Sequence, residues 1–108
     1  VQDEKEILCV AVYQNYRVVD IELSFAADTP RWATRSNILE LLRYPFELIK
    51  VNRISCIIDK RNKPARKLVK GIGWTEEGTM RMASHDGKPM CLYGLTIRDF
   101  ERIKKRYG

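Results

Sequence analysis

The sequence predicts an α/β (α+β) domain: a mixed, mostly antiparallel twisted sheet with a parallel βαβ centre and flanking helices. Three observations carry this expectation. An apolar run and a run of period two lie end to end, which is a hairpin pattern. A helical repeat then links the second run to another short apolar run, a crossover of parallel type. Finally, two runs flank Asp86-Gly87, a strong turn signal.

The elements follow in order. Ile7 to Gln14 is short, apolar and partly β-branched, a buried strand. Asn15-Tyr16-Arg17 is its turn, and Val18 to Ala27 is the second strand. Val19, Ile21, Leu23, Phe25 and Ala27 fall on one face. Val18, Asp20, Glu22, Ser24 and Ala26 fall on the other, which is polar in its middle. Asp28-Thr29-Pro30 ends the run, because proline has no N–H for a central ladder.

Ser36 to Ile49 repeats Ile38, Leu41, Leu42, Phe46 and Ile49 at helical spacing, with Thr34 or Ser36 as cap. Pro45 should kink or end its first part near Tyr44. Arg53 to Asp59 is a buried strand. Asn62 caps a second helix with Pro64 in its first turn; it runs to about Lys70 and stops at Gly71-Ile72-Gly73. Trp74 to Glu77 is a connection, and Gly78 to Ser84 and Met90 to Thr96 form the closing hairpin. The tail from Ile97 to Tyr107 is a basic helix with Ile97, Phe100 and Ile103 on one side.

The chain has 108 residues, 44% hydrophobic and 31% charged, which suits one domain (1–108) with a real core. No run approaches the roughly 20 apolar residues of a membrane span. The opening Val1–Glu6 is charged, so no secretory signal is expected, and the missing initiator Met fits a processed chain or a piece of a longer one. Cys9, Cys56 and Cys91 lie apart in apolar runs, as buried thiols of a reducing, cytoplasmic compartment do. With one histidine, His85, and no clustered ligands, no metal site is expected. The net charge of +6 attracts polyanions, nucleic acid or a phosphate-rich cofactor alike.

Two segments go further. The run from Asn62 to Trp74 (Asn62-Lys63-Pro64-Ala65, then Leu68 and Gly71-Ile72-Gly73-Trp74) and the following Thr75-Glu76-Glu77-Gly78-Thr79-Met80-Arg81 resemble the acyl-CoA-binding segment of the GNAT superfamily of N-acetyltransferases. Asp86-Gly87 and Leu92-Tyr93-Gly94-Leu95 match the closing hairpin of its protein N-terminal-acetylating branch. Ala26 to Phe46 looks like small phage-encoded members. The likeness covers most of the chain from Ile7 onward, without the family's usual N-terminal strand and helices, which help form the acceptor site.

The resemblance implies acetyl-CoA as co-substrate and direct transfer to an amine, and it gives roles to particular residues. Glu22 takes the place of a general base on the second strand, acting directly or through water. The backbone of Phe25, Ala26 and Ala27 is where pantetheine would pair. Arg31, Trp32, Ala33, Thr34, Arg35 and Ser36 occupy the pyrophosphate loop before a helix N-terminus. The family usually has glycines in that loop and this chain has none; Arg31 and Arg35 would compensate by pairing with phosphate. Asn62 and Arg66 match positions near pantetheine and the 3′-phosphate, where Lys60, Arg61 and Lys63 would assist. Val69 stands where many members carry a general-acid tyrosine.

Several of these residues have a plainer reading: solvated arginines in the loop, Trp32 as a core lid, Asn62 as a helix cap, Glu22 as an ion-paired strand residue. Three functions therefore stay open. The first is an N-acetyltransferase that acts on an amine, with that of a protein expected, by direct transfer. The second is a GNAT-like module that has lost catalysis and serves binding or structure. The third, not favoured, is nucleic-acid binding through Arg102-Ile103-Lys104-Lys105-Arg106. A homodimer through the closing hairpin is open as well.

Overall fold

A computed structural model describes residues 10–26 and 34–107. Its elements are β1 (Val10–Gln14), β2 (Asp20–Ala26), α1 (Arg35–Arg43), β3 (Arg53–Asp59), α2 (Lys63–Ile72), β4 (Thr75–Met80), β5 (Met90–Thr96) and α3 (Ile97–Tyr107). The strands form one sheet in the order β1-β2-β3-β5-β4. Only β2 and β3 run parallel; the other neighbours are antiparallel. This is the predicted mixed sheet, with its parallel crossover at the centre.

The period-two reading of β2 explains how the sheet is buried. Ile21 and Leu23 share a face with Ile54, Cys56 and Ile58 of β3 and with Cys91, Tyr93 and Leu95 of β5. That face lies under the helices: Ile38 and Leu42 from α1, Val69 and Ile72 from α2, Phe100 and Ile103 from α3 join the same core. Phe46 and Phe100 stack at 4.9 Å, and the Tyr13 hydroxyl donates to the Leu41 carbonyl at 2.6 Å. The opposite face carries Glu22, Ser24, Arg53, Ser55 and Ile57, and no described helix covers it.

Helix boundaries follow their caps. Asn37 N–H donates to Thr34 Oγ1 at 3.2 Å, which settles the cap of α1 on Thr34. Pro45 changes the helix without ending it: from Tyr44 to Ile49 the chain continues as a π-helix, closed by Lys50 in the left-handed region. The proline lacks the N–H that an α-turn would use, and wider turns absorb the loss. In α2, Asn62 Oδ1 accepts from Ala65 N–H at 3.3 Å, and the helix reaches Ile72, two residues past Lys70.

Three expectations need correction. The first turn is longer than Asn15-Tyr16-Arg17, and β2 begins at Asp20. Val18 has φ 69°, which a strand does not allow, and is held there while Arg17 bonds Asp20 through backbone and guanidinium. Val19 is accordingly 56% exposed and leaves the apolar face. The edge strand is Thr75–Met80, not Gly78–Ser84. A bulge between Glu76 and Gly78 lets it start straight after Trp74, and Met82 at φ 55° turns the chain out of the sheet. Gly87 at φ 76° completes the predicted turn. Ile97 opens α3 half-exposed and does not share the buried side of Phe100 and Ile103. The first strand is described only from Val10 onward, so its predicted start at Ile7, and Cys9, lie outside the described residues; Cys56 and Cys91 are buried free thiols.

Candidate functional site

β2 and β3 are parallel neighbours, yet their pairing runs only from Asp20–Arg53 to Glu22–Ser55. Beyond that row β2 continues to Ala26 and β3 to Asp59, so the strands part. On the core face α1 packs against β1 through Tyr13 and Leu41, and among the described residues no strand fills the gap between β2 and β3. The resulting wedge holds a cavity of about 160 Å³ lined by Ser24, Cys56, Ile57, Asp59, Asn62 and Ala65. That is well below the roughly 300–1,000 Å³ of a pocket enclosing a drug-sized ligand, and suits a thin linear chain laid against strand edges. Burial pushes the Cys56 thiol up to about 12, so it stays protonated and cannot serve as a nucleophile at neutral pH.

Glu22 and Ser55 form the vertex of the wedge. The Glu22 carboxylate accepts from the Asn15 side-chain amide, with Arg17 Nη1 at 3.9 Å, and its side chain is 19% exposed. It thus keeps access to the open face while two neighbours fix its direction. Ser55 is buried, and its hydroxyl accepts from Arg53 Nε at 3.1 Å.

The far side of the wedge is rigid. Arg61 clamps Asp59 (Nη2–Oδ2 2.6 Å) and Asp86 (Nη1–Oδ2 2.8 Å), tying the start of α2 to the closing hairpin. The side-chain bond from Arg61, with the bond from its backbone N–H, holds the Asp59 carboxyl down at about 2. Arg66 Nε donates to the Tyr93 hydroxyl at 2.9 Å, that hydroxyl donates to Glu76 Oε1 at 3.0 Å, and Lys70 Nζ reaches the same oxygen at 3.2 Å. Burial raises the Tyr93 phenol, only partly opposed by Arg66. On the open face Arg53 Nη2 meets Glu77 Oε1 at 2.7 Å across Gly94.

The structure brings together only part of the predicted set. Asn62 lines the wedge, Glu22 stands in the last paired row beneath it, and the backbone of Phe25 and Ala26 carries β2 past that row. Thr34 and Ser36 stand at the start of α1, where Thr34 caps the helix and Ser36 is exposed. The backbone of Arg35 belongs to that same first turn. Ala27, Arg31, Trp32 and Ala33 lie outside the described residues. Arg66 lines no cavity edge with a free guanidinium: Tyr93, Glu76 and the Lys60 carbonyl take it. Arg61 is likewise committed. Val69 is fully buried in α2. The basic tail is largely spent within the molecule, Arg102 on Asp99, Lys104 on Glu47 and Arg106 on the Ile72 carbonyl.

Sequence reasoning missed Ser55, Cys56 and Asp59. Their signal was available: a parallel partner for β2 must place some β3 side chains opposite Glu22 and Ser24. The point where pairing stops is not written in either strand.

No family model matches the sequence, and no curated protein matches it. Solved structures do. An acetyltransferase assigned provisionally superposes with a TM-score of 0.83 at 21% identity, over 96% of this chain and 60% of the other. Spermidine N-acetyltransferase from Vibrio cholerae gives 0.77 at 18%, over 90% and 61%. Ribosomal-protein-S5-alanine acetyltransferase from Vibrio fischeri gives 0.73 at 16%, over 90% and 58%. Other matches are described as GNAT-family and GCN5-related enzymes. The fold is that of the GNAT acetyltransferases. At these identities the likeness is one of GNAT architecture, and the chain spans about 60% of the length of the structures it matches. Among the described residues no group of His, Cys, Asp and Glu is set to hold a metal, and no helix is long and apolar enough to cross a membrane.

Proposed function

We propose that this chain is the acyl-CoA-binding part of an N-acetyltransferase, taking acetyl-CoA as donor and an amine, that of a protein, as acceptor. The observation that carries the reading is the parting of β2 and β3 past Glu22–Ser55, which opens a narrow slot between two parallel strands. A linear amide-bearing arm such as pantetheine suits such a slot, because the parted strands offer backbone groups along its length. Phe25, Ala26 and Ala27 would face the arm. Arg31 to Ser36 would receive the pyrophosphate at the start of α1, where first-turn N–H groups and the helix dipole favour anions. Asn62 closes the slot from the other side. Arg66 contributes by fixing α2 through Tyr93 and Glu76, and the 3′-phosphate is left to Lys60 or Lys63.

Glu22 is then the base. It lies at the vertex, where the end of a bound arm would stop, and its carboxylate takes the proton released as the amine nitrogen bonds to the acetyl carbon; the carbon–sulfur bond breaks and the coenzyme leaves as a thiolate that takes its proton from water. No side chain has to become covalently attached. The protein N-terminal branch, the likeness to phage-encoded members, a cytoplasmic setting and a single domain over 1–108 belong to the same proposal.

A non-catalytic binding module is the second reading, favoured by Val69: buried in the core of α2, it leaves no phenol to protonate a leaving thiolate there. Calorimetric titration with acetyl-CoA followed by amine-dependent thiol release separates them. Micromolar binding with release that falls at least tenfold in Glu22→Gln supports the enzyme. Micromolar binding without release for any amine removes the transfer step, and no binding at millimolar acetyl-CoA overturns the enzyme and supports the module.

A further inference from the structure

The open face of the sheet carries a second depression, of about 560 Å³, at the end where β2 and β3 begin and β5 ends. Its rim is the row Asp20–Arg53–Thr96, one step along the strands from the Glu22–Ser55–Gly94 row and on the same face. Two residues of strand are roughly 6.5–7 Å, so the depression starts about that far from the Glu22 position. The wedge lies on the other side of Glu22. A molecule seated in the depression would therefore present its end to Glu22 from the side opposite the slot.

The lining says what that molecule is. Val19 and Ile97 give it an apolar floor, and both are solvent-exposed without a covering element among the described residues. Three guanidiniums surround the floor. Arg17 is neutralised by Asp20 at 2.8 Å and Arg53 by Glu77 at 2.7 Å. Arg98, in the first turn of α3, has no ion pair among the described residues. The site thus carries one uncompensated positive charge beside an apolar surface. A polycation such as a polyamine meets repulsion there, whereas one carboxylate attached to an apolar body is matched. The Asp20 row is roughly 6.5–7 Å from the Glu22 row, and Arg98 follows two residues after Thr96 of that row, so at roughly 3.3–3.6 Å per residue two or three residues of extended peptide join the two ends.

Resting on the acetyltransferase reading, we infer that the acceptor is a peptide N-terminus with an apolar residue and then an acidic residue two or three positions from its free amine, the carboxylate held by Arg98 in the depression formed by Val19, Arg17, Arg53 and Ile97. The amine would lie by Glu22.

The test uses three probes without acetyl-CoA: the C-terminally amidated peptides Ala-Val-Glu and Ala-Val-Lys, and spermidine, each titrated while the backbone amides of Asn52, Thr96, Ile97 and Arg98 are followed by NMR. The Glu peptide should saturate these amides at least roughly tenfold more tightly than the Lys peptide, with spermidine inert, and Arg98→Glu should reverse the order. Equal affinity of the two peptides, tighter spermidine binding, or saturation only at amides elsewhere would overturn the inference. Because no cofactor is present, the two claims fail separately. A peptide that binds here to a chain that ignores acetyl-CoA leaves the pocket and removes the transferase. A chain that binds acetyl-CoA without the peptide preference does the reverse.

Discussion

The two sides of β3 are built on opposite principles. Toward β5 it pairs along its whole length, from Arg53–Thr96 to Asp59–Met90. Toward β2 it pairs from Asp20–Arg53 to Glu22–Ser55 and then lets go. The closed side is braced again on both faces, by Arg53–Glu77 over Gly94 and by Arg66, Tyr93 and Glu76 beneath α2. Among the described residues the open side has no such brace within the wedge. A strand that gives up a neighbour needs a partner that does not, and here the neighbour across β3 supplies the rigidity that the gap requires.

This contrast breaks first at the core of the closed side. Leu95→Ala should cost about 2–5 kcal/mol of unfolding free energy in urea, since Leu95 is fully buried. Gly94→Ala should cost about 1 kcal/mol or less, because the added methyl would stand 2.6 Å from Glu77 Cδ and 2.8 Å from Arg53 Nη2, the flexible ends of a partly exposed pair that can swing aside. Ser24→Phe acts on the open side and should do the converse. Ser24 is exposed, so stability should stay within about 1 kcal/mol, while the aromatic ring fills the wedge and weakens acetyl-CoA binding at least roughly tenfold. If Ser24→Phe unfolds the chain instead, the open side is structural and the contrast fails.

Acid sharpens the comparison at the wedge rim. The Asp59 carboxyl is lowered to about 2 by its bonds from Arg61. A depressed carboxyl stabilises the fold fully above its unfolded value near 4, and that contribution fades as pH falls through about 2. The stability difference between the parent chain and Arg61→Ala should therefore be constant at neutral pH and close between about pH 4 and 2. A difference that persists at pH 2 would assign it to packing. The smallest effect is at the hairpin below the vertex: Val18 is 69% exposed at φ 69°, so Val18→Gly should raise stability by roughly 0.5–1 kcal/mol in the same urea titrations.

How much of this was written in the sequence depends on the range of the interaction. The alternation of Ile21, Glu22 and Leu23, the caps at Thr34 and Asn62, and the Asp86-Gly87 turn are local, and the middle of β2, the two helix starts and the turn itself stand where expected. Val18 and the start of β4 were misjudged because a β-branched residue in the left-handed region and a bulge at Glu76–Gly78 answer to pairing elsewhere. Of the site, Glu22 and Asn62 could be named from the strand pattern and the resemblance. Arg66 and Arg61 could be named, but not that Tyr93, Glu76, Asp59 and Asp86 would claim their guanidiniums. Ser55 and the end of the ladder required the register of two strands separated by a helix.

The most direct test of the account is an amide NMR titration of the chain with acetyl-CoA. The account predicts saturable shifts at Leu23 to Ala26, at Ile57 to Asp59 and at Ser36 in the first turn of α1, with Thr75 to Met80 of the edge strand unmoved. Shifts confined to β4 and β5, or none at millimolar acetyl-CoA, would contradict it.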